Sequence, residues 1–227
     1  GAVSTTFMTG VLMTRKGLAK PVGSMTQYDK IRVGKGADKK YLHYKDIVPI
    51  ADLNDIEFAA WDVYPANAYE SAINAEVLKE KDIEPVADEL KAIKPMRAAF
   101  DHNYAKRLDG ENYMKGATRW EMVENIRKDI RDFKAAKNLD RIVVLWAAST
   151  EVYVPVDEKV HYKLAALEAA MKADDKEHVA PSMCYAYAAL KEGAPFIMGA
   201  PNTTVDIPAM WELAEQTKMP IAGKDFK

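Results

Sequence analysis

Apolar residues along the chain fall into two kinds of pattern. Four runs are short and nearly unbroken, at residues 56–61, 141–146, 195–198 and 220–222. The second of these contains Ile142, Val143, Val144, Leu145 and Trp146 in succession, which suits a strand covered on both faces, as in a parallel sheet. Between the runs the apolar spacing turns helical. Residues 117–136 place Trp120, Val123, Ile126, Ile130 and Phe133 three or four apart, with charged residues on the opposite face. Residues 160–171 and 182–190 follow the same period, and 208–215 opens on Pro208, which suits a first helical turn. Strands alternating with helices predict an α/β fold with a mainly parallel sheet, helices on both faces and right-handed crossovers.

Residues 17–45 break this rhythm. Ile31-Arg32-Val33 and Tyr41-Leu42-His43-Tyr44 flank a charged turn holding Gly34 and Gly36, which predicts a small β insertion of two short strands. Residues 93–115, with Pro95, Gly110 and few periodic apolar positions, read as a second long connection. Residues 1–227 therefore read as one domain with an insertion near 17–45. The chain opens on Gly1-Ala2-Val3-Ser4-Thr5-Thr6 and runs directly into a helical pattern at Phe7, Val11 and Leu12, and it closes at 223–227 just after an apolar segment. Both ends are those expected of a piece of a longer chain.

Composition narrows the function. The chain is 48% hydrophobic and 29% charged, with 32 Lys and Arg against 34 Asp and Glu and a net charge of -2. Without a basic surplus, neither nucleic acid nor an anionic membrane is an expected partner. No apolar stretch reaches the roughly 18 residues of a membrane helix, and the start lacks the basic region of a signal peptide, so the expected location is the cytoplasm. Cys184, the single cysteine, sits in the apolar run Met183-Cys184-Tyr185-Ala186 and reads as a buried, inert thiol. His43, His102, His161 and His178 lack the spacing of metal ligands and read as surface or capping residues.

In open α/β sheets ligands sit outside the carboxyl ends of the strands. The first run ends at Trp61-Asp62, an acidic strand terminus able to accept hydrogen bonds from ribose hydroxyls, or equally to cap a turn. The second ends in Ala147, Ala148, Ser149 and Thr150, the third in Gly199, Ala200, Pro201 and Asn202, and the fourth in Gly223, Lys224 and Asp225. Small and hydroxylated residues at these points let a backbone approach a ligand. Gly1 before a helix resembles the end of a glycine-rich phosphate loop, where helix amides hold a pyrophosphate.

The same residues resemble the myo-inositol-1-phosphate synthase family over nearly the whole chain. The resemblance rests on Gly23-Ser24-Met25-Thr26-Gln27, Trp61-Asp62, the segment from Arg127 through Asp129, Asp132 and Lys134, and Val143-Val144-Leu145-Trp146 leading to Glu151. It continues through Ala180-Pro181-Ser182, the run from Glu192 to Pro201, and residues 222–227. It implies a Rossmann-like fold, a tightly held NAD that is reduced and reoxidised within one cycle, glucose 6-phosphate as substrate, myo-inositol 1-phosphate as product, and a homotetramer. It further implies Gly1 at the dinucleotide phosphates, Asp62 at the adenosine ribose, Ala147, Ala148, Ser149, Thr150, Gly199 and Ala200 along the cofactor, and Asp225 near the nicotinamide end. No catalytic residue is implied within this chain, because the family's lysine cluster lies beyond Lys227. Ser149, Ala200 and Lys224 stand where the family has Asn, Ser and Asp, which leaves open a related NAD-dependent sugar-phosphate oxidoreductase or an inactive nucleotide-binding homologue.

Overall fold

A computed structural model describes residues 1–226; Lys227, the last residue of the 222–227 motif, lies outside the described residues. The chain forms two compact units, Gly1–Phe58 with Ala66–Lys94, and Ala59–Pro65 with Pro95–Lys227.

In the first unit, helix α1 (Ala2–Arg15) follows Gly1 at its N-cap and buries Thr5, Met8, Thr9 and Leu12. Arg15, in its last turn, donates from Nε to the Leu53 carbonyl at 2.6 Å and from Nη2 to the Ile56 carbonyl, and its guanidinium lies 5.8 Å from the Phe58 ring centre. Phe58 also meets Phe7 edge-on at 5.9 Å. The strand expected over 56–61 is therefore reached only at Trp61: its early apolar residues cover α1 instead of joining a ladder. The turn at 34–40 does form a hairpin. After α2 (Met25–Tyr28), strands β1 (Lys30–Val33) and β2 (Lys40–His43) pair antiparallel from Lys30↔His43 to Val33↔Lys40. Gly34 has φ 86°, and a Cβ there would lie 2.5 Å from the Asp38 carbonyl oxygen, so the turn requires glycine. Helices α3 (Ala68–Ala75), α4 (Glu80–Ile83) and α5 (Ala87–Ala92) complete the unit. They went unread in the sequence because they are short and α3 buries only Ala68 and Ala72, too small a stripe to give a strong period. An Asn67–Glu70 capping box starts α3.

In the second unit β3 (Trp61–Asp62) pairs parallel with β4 (Met96–Arg97). Strand β4 lies inside the segment expected to be a plain connection. Asn112 bridges the two strands by donating its side-chain amide to the carbonyls of Asp62 at 3.0 Å and Met96 at 3.1 Å. Helix α6 (Arg119–Ala136) begins at a Thr118–Glu121 capping box and buries Met122, Val123, Ile126 and Ile130, the face that the period of 117–136 predicts. The second sheet is parallel throughout, in the order β5 (Val144–Trp146), β6 (Phe196–Met198), β7 (Ile221–Gly223). Helices α7 (Glu158–His161), α8 (Leu164–Lys172) and α9 (Pro181–Lys191) lead from β5 to β6, and α10 (Pro208–Thr217) leads from β6 to β7. The stretch 160–171 is split rather than continuous. Lys163 is extended, the Leu164 amide donates to the Glu212 carboxylate at 2.8 Å, and buried His161 caps its own helix by accepting from the Asp157 amide at 2.9 Å.

Helix α9 is the centre of this unit: ten of its residues, Pro181 through Leu190, are buried. It packs against α6, α10, β5 and β6, and three alanines among those ten residues, Ala186, Ala188 and Ala189, allow close approach. Burial of Leu167, Met171, Met183, Phe196 and Met210 contributes about 1.5–3 kcal/mol each. Cys184 is fully buried, and burial pushes its thiol up to about 12, as expected of an inert residue. Parallel neighbours joined through helices give the α/β, Rossmann-like architecture read from the alternation of runs.

Candidate functional site

Register decides what the strand ends share. Trp146 lies opposite Met198, and Met198 opposite Gly223, so Ala147, Gly199 and Lys224 leave three adjacent parallel strands at one level. The ladder continues past the strands, since the Gly199 amide donates to the Trp146 carbonyl at 3.0 Å. A Cβ at Gly199 would lie 2.6 Å from that carbonyl oxygen and 2.0 Å from two ring carbons of Phe226. Glycine is required there because a chain and an aromatic ring both cross its face. Ala148, Ser149 and Thr150 are exposed, whereas Gly199 and Ala200 are buried. Lys224, where the family resemblance has Asp, pairs with the Asp206 carboxylate and reaches the Asn202 carbonyl at 3.5 Å. Asp225 follows with φ 72°, a left-handed turn that Asp tolerates.

Asp62 ends β3, a strand of the other sheet in this unit, and one carboxylate oxygen accepts from the Tyr64 amide at 3.1 Å. The turn-capping role is thus present. Aromatic side chains connect β3 to β5: Tyr185 of α9 meets Trp61 at 5.3 Å and Trp146 at 5.6 Å, both edge-on, while its hydroxyl accepts from the Ala99 amide at 2.9 Å. The Trp61 indole donates to Asp129 at 2.8 Å; burial holds that carboxyl above its ordinary range, with the indole hydrogen bond opposing. A groove of about 500 Å³ runs past Asp129, Asn125 and Glu121 on one face of α6. Gly1 belongs to the first unit, where it caps α1 and accepts from the Thr5 amide at 3.1 Å.

Behind the exposed tip at 148–150 lies a group that the sequence reading missed. Glu151 is 8% exposed. Its carboxylate accepts from the Ser182 amide and the Asn202 side-chain amide, each at 3.0 Å, and from the Ser182 hydroxyl. Its own amide donates to the Asn202 side-chain oxygen at 3.1 Å. Ser182 in turn is 2.5 Å from the Thr204 hydroxyl, and the Thr203 hydroxyl donates to the Val154 carbonyl at 3.0 Å. One cluster therefore joins the loop after β5, the loop after β6 and the first turn of α9. Burial raises the Glu151 carboxyl to about 7, against the pull of the Ser182 hydrogen bonds and of Arg119. Nothing in the sequence marks a glutamate after four small residues as buried; only Asn202 and Ser182, polar residues beside apolar runs, hinted at partners.

Deeper still, fully buried Arg119 pairs with Asp101 at 2.7 Å and donates to the Val179 carbonyl at 2.7 Å. Burial alone would raise the Asp101 carboxyl, but the guanidinium and the Asn103 amide hold it below its usual range.

The family model described as myo-inositol-1-phosphate synthase, an NAD-binding domain, matches residues 1–227. The chain belongs to that family. It is 62% identical over 227 residues to inositol-3-phosphate synthase 1 of Bacteroides thetaiotaomicron, covering 100% of this chain and 52% of that protein. Against inositol-3-phosphate synthase 1 of Oryza sativa it is 34% identical over 241 residues, 100% of this chain and 47% of the relative. The crystal structure of inositol-3-phosphate synthase from Caenorhabditis elegans superposes with a TM-score of 0.92 at 28% identity, covering 100% of this chain and 47% of that one. The chain thus spans about half the length of the relatives it matches. No helix among the described residues is long and apolar enough to cross a membrane.

Proposed function

We propose that the chain supplies the NAD-binding part of an inositol-1-phosphate synthase, an isomerase that converts glucose 6-phosphate to myo-inositol 1-phosphate. The observation that carries this reading is the common level of Ala147, Gly199 and Lys224 at the ends of three parallel strands, the position at which such sheets bind nucleotides. Ala147 and Ala148 carry only a methyl group and Ala148 is exposed, so the end of β5 suits a flat cofactor lying against backbone. A bound NAD would supply hydride-transfer chemistry to these strand ends.

This chain's residues bind and orient. By family resemblance Ala147, Ala148, Ser149, Thr150, Gly199 and Ala200 would line the cofactor, Asp225 would serve its nicotinamide end, and the Asp62 carboxylate would accept from the adenosine ribose. Gly1, at the head of α1, is assigned to the phosphates by family resemblance, as the N-terminal amides of a helix suit an anion. The whole protein is a homotetramer working in the cytoplasm, in the same reading.

Isothermal titration of the intact protein with NAD tests the binding, and product analysis with glucose 6-phosphate tests the reaction. The reading expects saturable NAD binding and inositol phosphate formed with no net NADH. Accumulating NADH would instead favour a related oxidoreductase, the reading that Ser149, Ala200 and Lys224 leave open; binding without turnover would favour an inactive homologue.

A further inference from the structure

We propose that Glu151 is a positioning residue: from the buried side it ties the loop after β5, the loop after β6 and the start of α9 into one clamp that presets the cofactor-lining backbone. The inference rests on the cofactor reading above and adds to it how the lining residues are held.

The geometry carries it. Ala148, Ser149 and Thr150 are exposed and have no hydrogen bond to the β6 loop of their own, so their placement depends on what anchors the residue that follows. That anchor is two-way between Glu151 and Asn202: the Glu151 amide donates to the Asn202 side-chain oxygen at 3.1 Å while the Asn202 side-chain amide donates to the Glu151 carboxyl at 3.0 Å. Ser182 adds its amide at 3.0 Å and its hydroxyl, and the hydroxyl continues to Thr204 at 2.5 Å. Four polar side chains, each at most 8% exposed, are mutually satisfied, an arrangement that specifies one conformation because any partial loss leaves buried groups without partners.

The clamp also carries a proton equilibrium. When Glu151 is ionised, Ser182 donates to it; when it is protonated, its own O–H donates toward Ser182, which passes a hydrogen bond on to Thr204. The surrounding groups are Arg119 on α6, which favours the carboxylate, Asp101, which disfavours it, and Tyr104, Cys184 and Tyr185, all held neutral by burial. Burial dominates and puts the carboxyl near 7 in the closed clamp. A group whose acid form is favoured in the closed state closes it more firmly at low pH, and raising the pH through about 7 loosens it.

The test is NAD titration of the intact protein at about pH 6 and about pH 8.5, with thermal unfolding run alongside. Wild type is expected to bind NAD at least about fivefold more weakly at the higher pH, from linkage to one proton. Glu151→Gln, which cannot ionise and loses about one hydrogen bond, is expected to bind about fivefold more weakly than wild type at the lower pH and to show no further change with pH. Ser182→Ala is the gentler variant: without the hydroxyl that favours the carboxylate, the midpoint of the pH dependence moves upward and binding weakens about threefold. Should Glu151→Gln fail to fold, unchanged affinity and midpoint in Ser182→Ala overturn the proposal. It is also overturned if Glu151→Gln keeps the wild-type pH profile, or if wild type binds NAD with no pH dependence. A wild-type protein that binds no NAD at all removes the cofactor reading first, and the clamp's role with it.

Discussion

The hairpin of the first unit and the sheet of the second differ in a way that hydrogen bonds do not show. Strands β1 and β2 pair over four residues each, while β5, β6 and β7 are three residues long. Yet seven of the eight hairpin residues are exposed, whereas Val144, Phe196 and Met198 are buried beneath a helix that is itself buried almost throughout. Ladder bonds exchange one set of hydrogen bonds for another with water and add little net stability; the apolar area removed from water decides which element holds the molecule together. The strand ends at 147–150 and 199–202, with the Glu151 cluster beside them, rest on the buried sheet.

Substitutions should separate the two regions by size of effect. Arg119→Leu, which strands Asp101 and the Val179 carbonyl in the interior, is expected to cost about 4 kcal/mol in denaturant unfolding; a cost below about 1 kcal/mol would mean that the buried pair is dispensable. Leu167→Ala, at a fully buried position, should cost about 3 kcal/mol by leaving a cavity in the same core.

A pH effect of comparable type comes from Glu151. Its carboxyl is raised in the folded protein, so the native state holds a proton that the unfolded chain has released once the pH passes the ordinary carboxylate range. Stability is therefore greatest at low pH as far as this group is concerned, and is lost as pH rises to about 7, by about 2 kcal/mol relative to Glu151→Gln. Unfolding both proteins between about pH 5 and about pH 8 reads this difference directly, and a difference that grows in the opposite sense would refute the burial argument. At the small end, Tyr41→Ser on the hairpin, where the ring is 65% exposed, should change stability by less than about 0.5 kcal/mol. A loss as large as that from Leu167→Ala would erase the contrast between the regions.

How much of this was legible in the sequence follows from the same contrast. Helix α6 was readable because Val123, Ile126 and Ile130 bury a single stripe on an otherwise charged helix, and β5 to β7 because unbroken apolar runs have little alternative to a covered strand. The hairpin was readable from its glycines, whose geometry is local. By contrast, Phe58 and its neighbours looked like a strand but cover α1, since an apolar run does not say what will cover it. Strand β4 was hidden because it is only two residues, Met96 and Arg97, too short to carry an apolar run. Residue choices at the strand ends pointed to the loops, while the element that anchors them, Glu151, was invisible because its burial is created by Asn202 and Ser182 from two other parts of the chain.

The proposed function depends on a nucleotide lying across the ends of β5, β6 and β7. Amide hydrogen exchange of the intact protein, with and without saturating NAD, tests it most directly. Slower exchange at 147–152 and 199–205 upon NAD addition, with the hairpin at 30–43 unchanged, is the predicted result; unchanged exchange at both strand-end loops in protein saturated with NAD would contradict it.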